Sequence, residues 1–144
     1  MKHPIVTQAL ELLAREAHET DTLASPNAVR DYLRLRLGDK PHEVFAVVFL
    51  NAQHRVIATE EMFRGTLTQT SVYPREVVIE ALRRNAAAVV LCHNHPSGSL
   101  QPSQADLDLT KRLRKAGEVL DLTLLDHLIV SERGFYSFAD EGLL

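Results

Sequence analysis

Apolar positions along this 144-residue chain follow two periods, and the alternation between them lays out the elements. Val6, Leu10, Leu13 and Ala17 recur at helical spacing, so residues 4–18 are expected to form an amphipathic helix. A polar connection, His18 to Leu23, follows. Ser25-Pro26 then reads as an N-cap and first helical residue, because proline has no N–H to leave unpaired there. Val29, Leu33 and Leu37 give that second helix its buried stripe, with Gly38 as its stop. Glu43 to Leu50 (EVFAVVFL) is apolar almost throughout, the pattern of a strand covered on both faces. A turn at Asn51-Ala52-Gln53 leads into a second strand, His54 to Phe63, which Gly65 breaks. Thr66 to Val72 is read as extended. Tyr73-Pro74 opens a long helix with Val77, Ala81 and Leu82 inward and Asn85 at its end.

The second half repeats a strand-helix-strand rhythm. Ala86 to His95 is the expected central strand, Ser103 to Ala116 a helix ended by Gly117, and Leu122 to Val130 another strand. Glu132-Arg133-Gly134 turns the chain into a short last strand, Phe135 to Phe138. Helices in front, a hairpin, then alternation define an α/β (α+β) fold, a mixed β-sheet flanked by helices.

Composition narrows the class. Hydrophobic residues make up 45% of the chain, enough for one ordinary core, and no apolar run reaches the ~18 residues a membrane span needs. Glu11, Arg15 and Glu16 interrupt any signal-peptide core. A single cysteine rules out an internal disulfide and suits a reducing compartment, so a cytoplasmic location is expected. The net charge of −3 lacks the basic excess of a duplex-binding domain, so nucleic acid is not expected as a direct ligand. The one basic cluster, Lys111 to Lys115, reads as a solvated helix face.

The chemistry concentrates at His93-Asn94-His95-Pro96-Ser97-Gly98, with Ser103 and Asp106 behind it. On an extended segment His93 and His95 point to one face, and Cys92, a small buried hydrophobe, to the other. Ser103 is a natural N-cap and Asp106 its third helical residue, a capping pair that accounts for those two alone. Yet Asp106 also shares the inward stripe of Leu109, Leu113 and Ala116, and an acid there wants a partner or a metal. Two histidines and one carboxylate are a typical ligand set for catalytic zinc with a fourth position open. Asn94 and Ser97 are assigned to the shape of the loop, and Gly98 to its unusual backbone angles.

His93-x-His95-Pro96, six residues, Ser103, two residues, Asp106 resembles the JAMM (JAB1/MPN/Mov34) metalloprotease motif. Five further runs resemble the RadC family within it: Phe63-Arg64-Gly65-Thr66-Leu67, Tyr73-Pro74-Arg75-Glu76, Asn85 to Ala88, His93 to Gly98, and Leu125-Asp126-His127-Leu128-Ile129-Val130. The likeness covers residues 25–144, leaving residues 1–24 as an N-terminal helix and connection. It implies an MPN/JAB (cytidine-deaminase-like) domain. RadC proteins are commonly longer, with a helical N-terminal region resembling helix-hairpin-helix modules. One short helix stands there in this chain, which looks like the short form met on mobile genetic elements.

By that resemblance, His93, His95 and Asp106 would hold Zn2+ and Ser103 would hydrogen-bond a developing oxyanion. A glutamate from an earlier strand would serve as general base. Glu60 and Glu61 are the candidates; both lie among apolar neighbours, and Glu60 suits the family better by its distance from Gly65. His127 is read either as a buried, hydrogen-bonded histidine or as a residue orienting a ligand. The implied function is a zinc-dependent peptidase or isopeptidase, cleaving an amide in a peptide or protein substrate by attack of metal-bound water. The alternative is a non-catalytic interaction module, linked to DNA repair by the family name alone. Unpaired edge strands could pair with an extended substrate or with a second copy in a homo-oligomer.

An HNH nuclease is not indicated, since that name describes three dispersed residues rather than three in a row. A metallo-β-lactamase-like site would need His-x-His-x-Asp-His, and positions 97 and 98 are Ser and Gly.

Overall fold

The computed structural model describes residues 2–19, 26–65 and 72–144. Four helices, α1 (Pro4–Glu19), α2 (Pro26–Leu37), α3 (Pro74–Arg83) and α4 (Gln104–Val119), accompany five strands. These are β1 (Val44–Leu50), β2 (Val56–Arg64), β3 (Ala88–Asn94), β4 (Thr123–Ser131) and β5 (Gly134–Ser137). They form one mixed sheet in the order β2-β1-β3-β4-β5. β3 is its centre, antiparallel to β1 and parallel to β4. A parallel neighbour needs a crossover, and α4 supplies it.

Two cores follow from covering both faces. On one face Ala46, Val48, Leu50, Val90, Cys92, Leu128 and Val130 pack against Val29, Leu33 and Leu37 of α2. On the other, Phe45, Val47, Phe49, Val89 and Leu91 pack against Val77, Val78 and Ala81 of α3 and Leu113 of α4. All seven residues of β1 are buried, the expected result for a strand with no solvated side. α1 packs on α2 and reaches β2. No helix among the described residues is long and apolar enough to cross a membrane.

Several boundaries differ from the sequence reading. The hairpin turn is longer, because Asn51 folds its side chain over it, accepting from the Gln53 and Arg55 backbone N–H groups. His54 there adopts φ 60°. β3 stops at Asn94, one residue short of His95. Leu82 faces solvent, 56% exposed, one position off the inward stripe of α3. Gly117 does not end α4, which runs to Val119. A Cβ on Gly117 would lie 2.2 Å from the Leu122 carbonyl oxygen, so the glycine admits the returning chain. The Ser25 cap and residues 66–71 of the proposed extended run lie outside the described residues.

Strict alternation also fails along β2. The strand has register shifts opposite Phe45/Ala46 and Phe49/Leu50, each admitting an extra residue. Glu60 therefore pairs with Val47, and Glu61 with Ala46, on opposite faces of the sheet. Glu60 is thereby separated from Val56, which pairs with Leu50 on the α2 side.

Candidate metal centre

The tip of β3 and the first turn of α4 meet on the α3/α4 face of the sheet. His93 follows Val89 and Leu91 on that face and is wholly buried. His95, two residues on, is part-buried. Ser103 caps α4: its Oγ accepts from the Asp106 N–H at 3.0 Å, and the Ser103 N–H donates to Asp106 Oδ2 at 2.8 Å. That reciprocal box fixes the carboxylate at the helix start. It leaves Oδ1 directed at His93, 3.2 Å from Nε2, while Oδ2 also lies 3.5 Å from His95 Nε2. The two Nε2 atoms are 2.9 Å apart. One donor atom from each of His93, His95 and Asp106 lies within 4.8 Å of the others, the one such cluster of three among the described residues.

The hydrogen bonds behind the cluster fix its tautomers. The Thr110 hydroxyl lies 2.6 Å from the Asp106 carbonyl oxygen, which cannot donate, so the single hydroxyl proton goes there. Thr110 Oγ1 also lies 2.6 Å from His127 Nδ1, so that nitrogen must be the donor. His127 is wholly buried. Burial first of all, and the proximity of His93, push its pKa well below the ordinary histidine value, so it is neutral and Nε2 carries a lone pair. His93 Nδ1, 2.9 Å away, therefore donates to it and keeps its own Nε2 lone pair for the cluster. At His95, Nδ1 donates to the Ser99 carbonyl at 3.0 Å, with the same consequence. Two lone pairs aimed at each other across 2.9 Å beside a carboxylate need a cation or a proton between them. The donor set fits a divalent metal. Either reading of His127 from the sequence describes part of this arrangement: it is buried and bonded, and its bond goes to a member of the cluster.

Electrostatics agree with the geometry. In the metal-free protein burial would raise the Asp106 carboxyl, but hydrogen bonds from His93 and His95, when a proton occupies the cluster in place of a cation, outweigh it and hold the pKa far below the carboxylate range. His95 is raised, chiefly by its bond to Asp106 against the opposing effect of burial. Cys92, on the far face, has its thiol pushed up by burial and offers no thiolate.

Neither sequence candidate for the general base reaches this cluster. Glu60 is on the correct face, but two strands away and level with Leu91 rather than His93. Its carboxylate accepts from Arg84 Nη2 at 2.7 Å. Glu61 is on the opposite face and accepts from Arg36 Nη2 at 3.1 Å. The acid at the entrance to β1, Glu43, is not among the sequence candidates. Phe45 pairs with His93, so Glu43, two residues earlier in the same period, falls level with His95 on the cluster face. It is half-buried, and its charge is among the influences that raise His95. The available signal was an acid opening an otherwise apolar strand; the β1–β3 register that gives it meaning cannot be read from the chain.

The fold and the cluster together define a domain of the JAB type, and the chain belongs to the RadC-like JAB domain family, whose sequence profile matches residues 23–143. Similar proteins named UPF0758 protein occur in Thiobacillus denitrificans, 58% identical over 97% of this chain, and in Polaromonas sp., 56% identical over 97%. Another, in Leptothrix cholodnii, is 56% identical over 95%. The chain spans 62% of the length of the first two and 64% of the third.

Proposed function

We propose that this chain is a zinc-dependent amide hydrolase, a peptidase or isopeptidase, with His93, His95 and Asp106 as the zinc ligands. The observation that carries the reading is the convergence of two histidine lone pairs and one carboxylate on a single point, with every other hydrogen bond of the two rings satisfied from behind. Three protein ligands with a position left open is the pattern of catalytic rather than structural zinc. Zinc held there supplies Lewis acidity, activating water at neutral pH and polarising a carbonyl.

The chain's own residues supply the proton chemistry. Glu43, level with His95, takes a proton from the attacking water and returns it to the leaving amine nitrogen as the carbon–nitrogen bond breaks. Its site on the cluster face, level with His95, supports this role, whereas Glu60 lies two strands from β3 and level with Leu91. Ser103, exposed at the helix start, accepts from Asp106 through its oxygen and can donate its hydroxyl proton to the developing oxyanion. Thr110 and His127 hold His93 in the ligating tautomer. A peptide or protein substrate would cross the loop from Pro96 to Pro102.

The test is metal analysis followed by digestion of an unbiased peptide library with the zinc-loaded protein. One zinc per chain and cleavage at defined bonds are expected. His95→Ala should lose both. Glu43→Gln should keep zinc and lose cleavage, while Glu60→Gln should cleave as the parent does. Zinc bound without any cleavage would instead favour the interaction-module reading.

A further inference from the structure

We propose that Asn94, the middle residue of the His-Asn-His run, is a positioning residue for Glu43; this rests on the reading of Glu43 as the proton carrier. Asn94 is 1% exposed and its side chain points away from the two histidines beside it. Among the described residues, its side-chain hydrogen bonds all go to one stretch of backbone, the approach to β1. Its Oδ1 accepts from the Val44 N–H at 2.7 Å. Its Nδ2 donates to the carbonyls of His42 at 3.0 Å and Lys40 at 3.3 Å. The chemistry of those partners fixes the amide's orientation, because an N–H must face the oxygen and two carbonyls must face the nitrogen.

Glu43 lies between the residues that are held. The backbone pairing of β1 with β3 ends at Phe45 and His93, so the ladder itself does not reach Glu43. Beyond that point the carboxamide takes over the ladder's work, tying residues 40, 42 and 44 to the strand that carries the histidines. Glu43 is held from its other side by the Gly65 N–H, which donates to its carbonyl oxygen at 2.9 Å. One strand tip thus sets two things at once. Its odd residues present imidazoles to the cluster face, and the even residue between them fixes how far the acid of the neighbouring chain stands from those imidazoles. A serine or threonine hydroxyl in the same place has one proton and could not serve two carbonyls. An aspartate keeps the acceptor but has no donor for them.

The test compares the parent, Asn94→Asp and, should a buried charge prevent folding, the neutral Asn94→Ser, each loaded with Co2+. Cobalt affinity should stay near that of the parent, because all three ligands remain. Pseudocontact shifts of the backbone amides of residues 42–44 should move, while those of residues 107–110 in α4 stay. With zinc and a peptide cleaved by the parent, kcat should fall about 100-fold, the scale of a misplacement of about 1 Å, with KM little changed. On a Glu43→Gln background the Asn94 change should cost nothing further.

Unmoved shifts at residues 42–44 in the folded variants, or a full additional loss on the Glu43→Gln background, would overturn the assignment of Asn94. Parent-like turnover by Glu43→Gln would sink the reading of Glu43 itself, and with it the purpose of the clamp. The two failures are therefore distinguishable.

Discussion

Two groups of charged and titratable side chains lie against the two faces of the same sheet, and they are built on opposite logic. On the α2 face, the Glu61 carboxylate is met by Arg36 at 3.1 Å, Arg64 at 3.6 Å and Lys40 at 3.9 Å. Burial would raise its pKa, but the Arg36 bond and then the three cations lower it below its usual value. Three permanent cations there more than compensate the one carboxylate, and although its Oε1 accepts no hydrogen bond, the group needs no added cation. On the α4 face, His93, His95 and Asp106 bring one carboxylate and two rings whose Nε2 atoms face a common centre. Among the described residues, the ion-pair partners of Asp106 are His93 and His95, with no Lys or Arg. A self-compensated cluster is structural; a cluster short of one cation is a binding site.

The largest effect expected from breaking that contrast is loss of a ligand. His95→Ala and Asp106→Asn should each weaken zinc binding by well over 100-fold, beyond the range usual for outer partners. Chelator competition measures it. Asp106→Asn also tests the helix start, because a carboxamide oxygen can still accept from Ser103. Retained α4 helicity with lost metal would separate the two duties of that side chain.

Next come the residues behind the rings. Thr110→Val removes the acceptor for His127 Nδ1, frees the His127 ring to take either tautomer, and should cost zinc affinity about 10- to 100-fold. Thr110→Ser keeps the hydroxyl and should bind nearly as the parent. If Thr110→Val binds zinc as the parent does, the tautomer chain from Asp106 to His93 has no grip on the metal.

Smaller again is Arg36→Met on the opposite face. It removes the closest cation from Glu61, while Lys40 and Arg64 remain. About 1 kcal/mol of stability should be lost by denaturant titration, with zinc affinity unchanged. A matching loss of metal would show that the faces are coupled through β1, and the comparison above would fail.

How much of this was legible in the chain depends on how local each signal was. His93 and His95 share a face because a strand alternates, and Ser103 with Asp106 reads as a cap because helix starts need one; both signals span a few residues. The sheet's helical cover was legible in EVFAVVFL, a strand with no polar side. What failed was register. Two bulges in β2 reassign Glu60 and Glu61 to faces that strict alternation does not give. Glu43 gains its place only from pairing with β3, some 50 residues on, and Asn94 gains its partners the same way. Gly117 misled for a related reason: it serves a contact with Leu122 that is tertiary rather than a helix stop.

The finest discrimination between the faces is their response to pH. In the metal-free protein His95 titrates above its usual 6.5, so its contribution to stability is fully present below that value and is lost as pH rises through the raised one. Asp106 is depressed, so its contribution is present above its usual 3.8 and is lost only as pH falls through the lowered value. Glu61 is likewise depressed from 4.5, and its contribution is constant from there upward. Between pH 6 and 8 only the metal face should therefore respond. Without metal, His127, buried and neutral, adds stability as pH rises towards 6.5, so the decline in Tm from loss of the proton shared by His95 and Asp106 should show in the upper half of that window. With zinc the slope should reverse, because protons leave the ligand as pH rises and binding tightens. His95→Ala should flatten both curves, and Arg36→Met should leave both slopes as they are. Parallel slopes with and without zinc would mean that proton and metal do not compete for the same lone pair, and the geometry at 2.9 Å between the two rings says that they must.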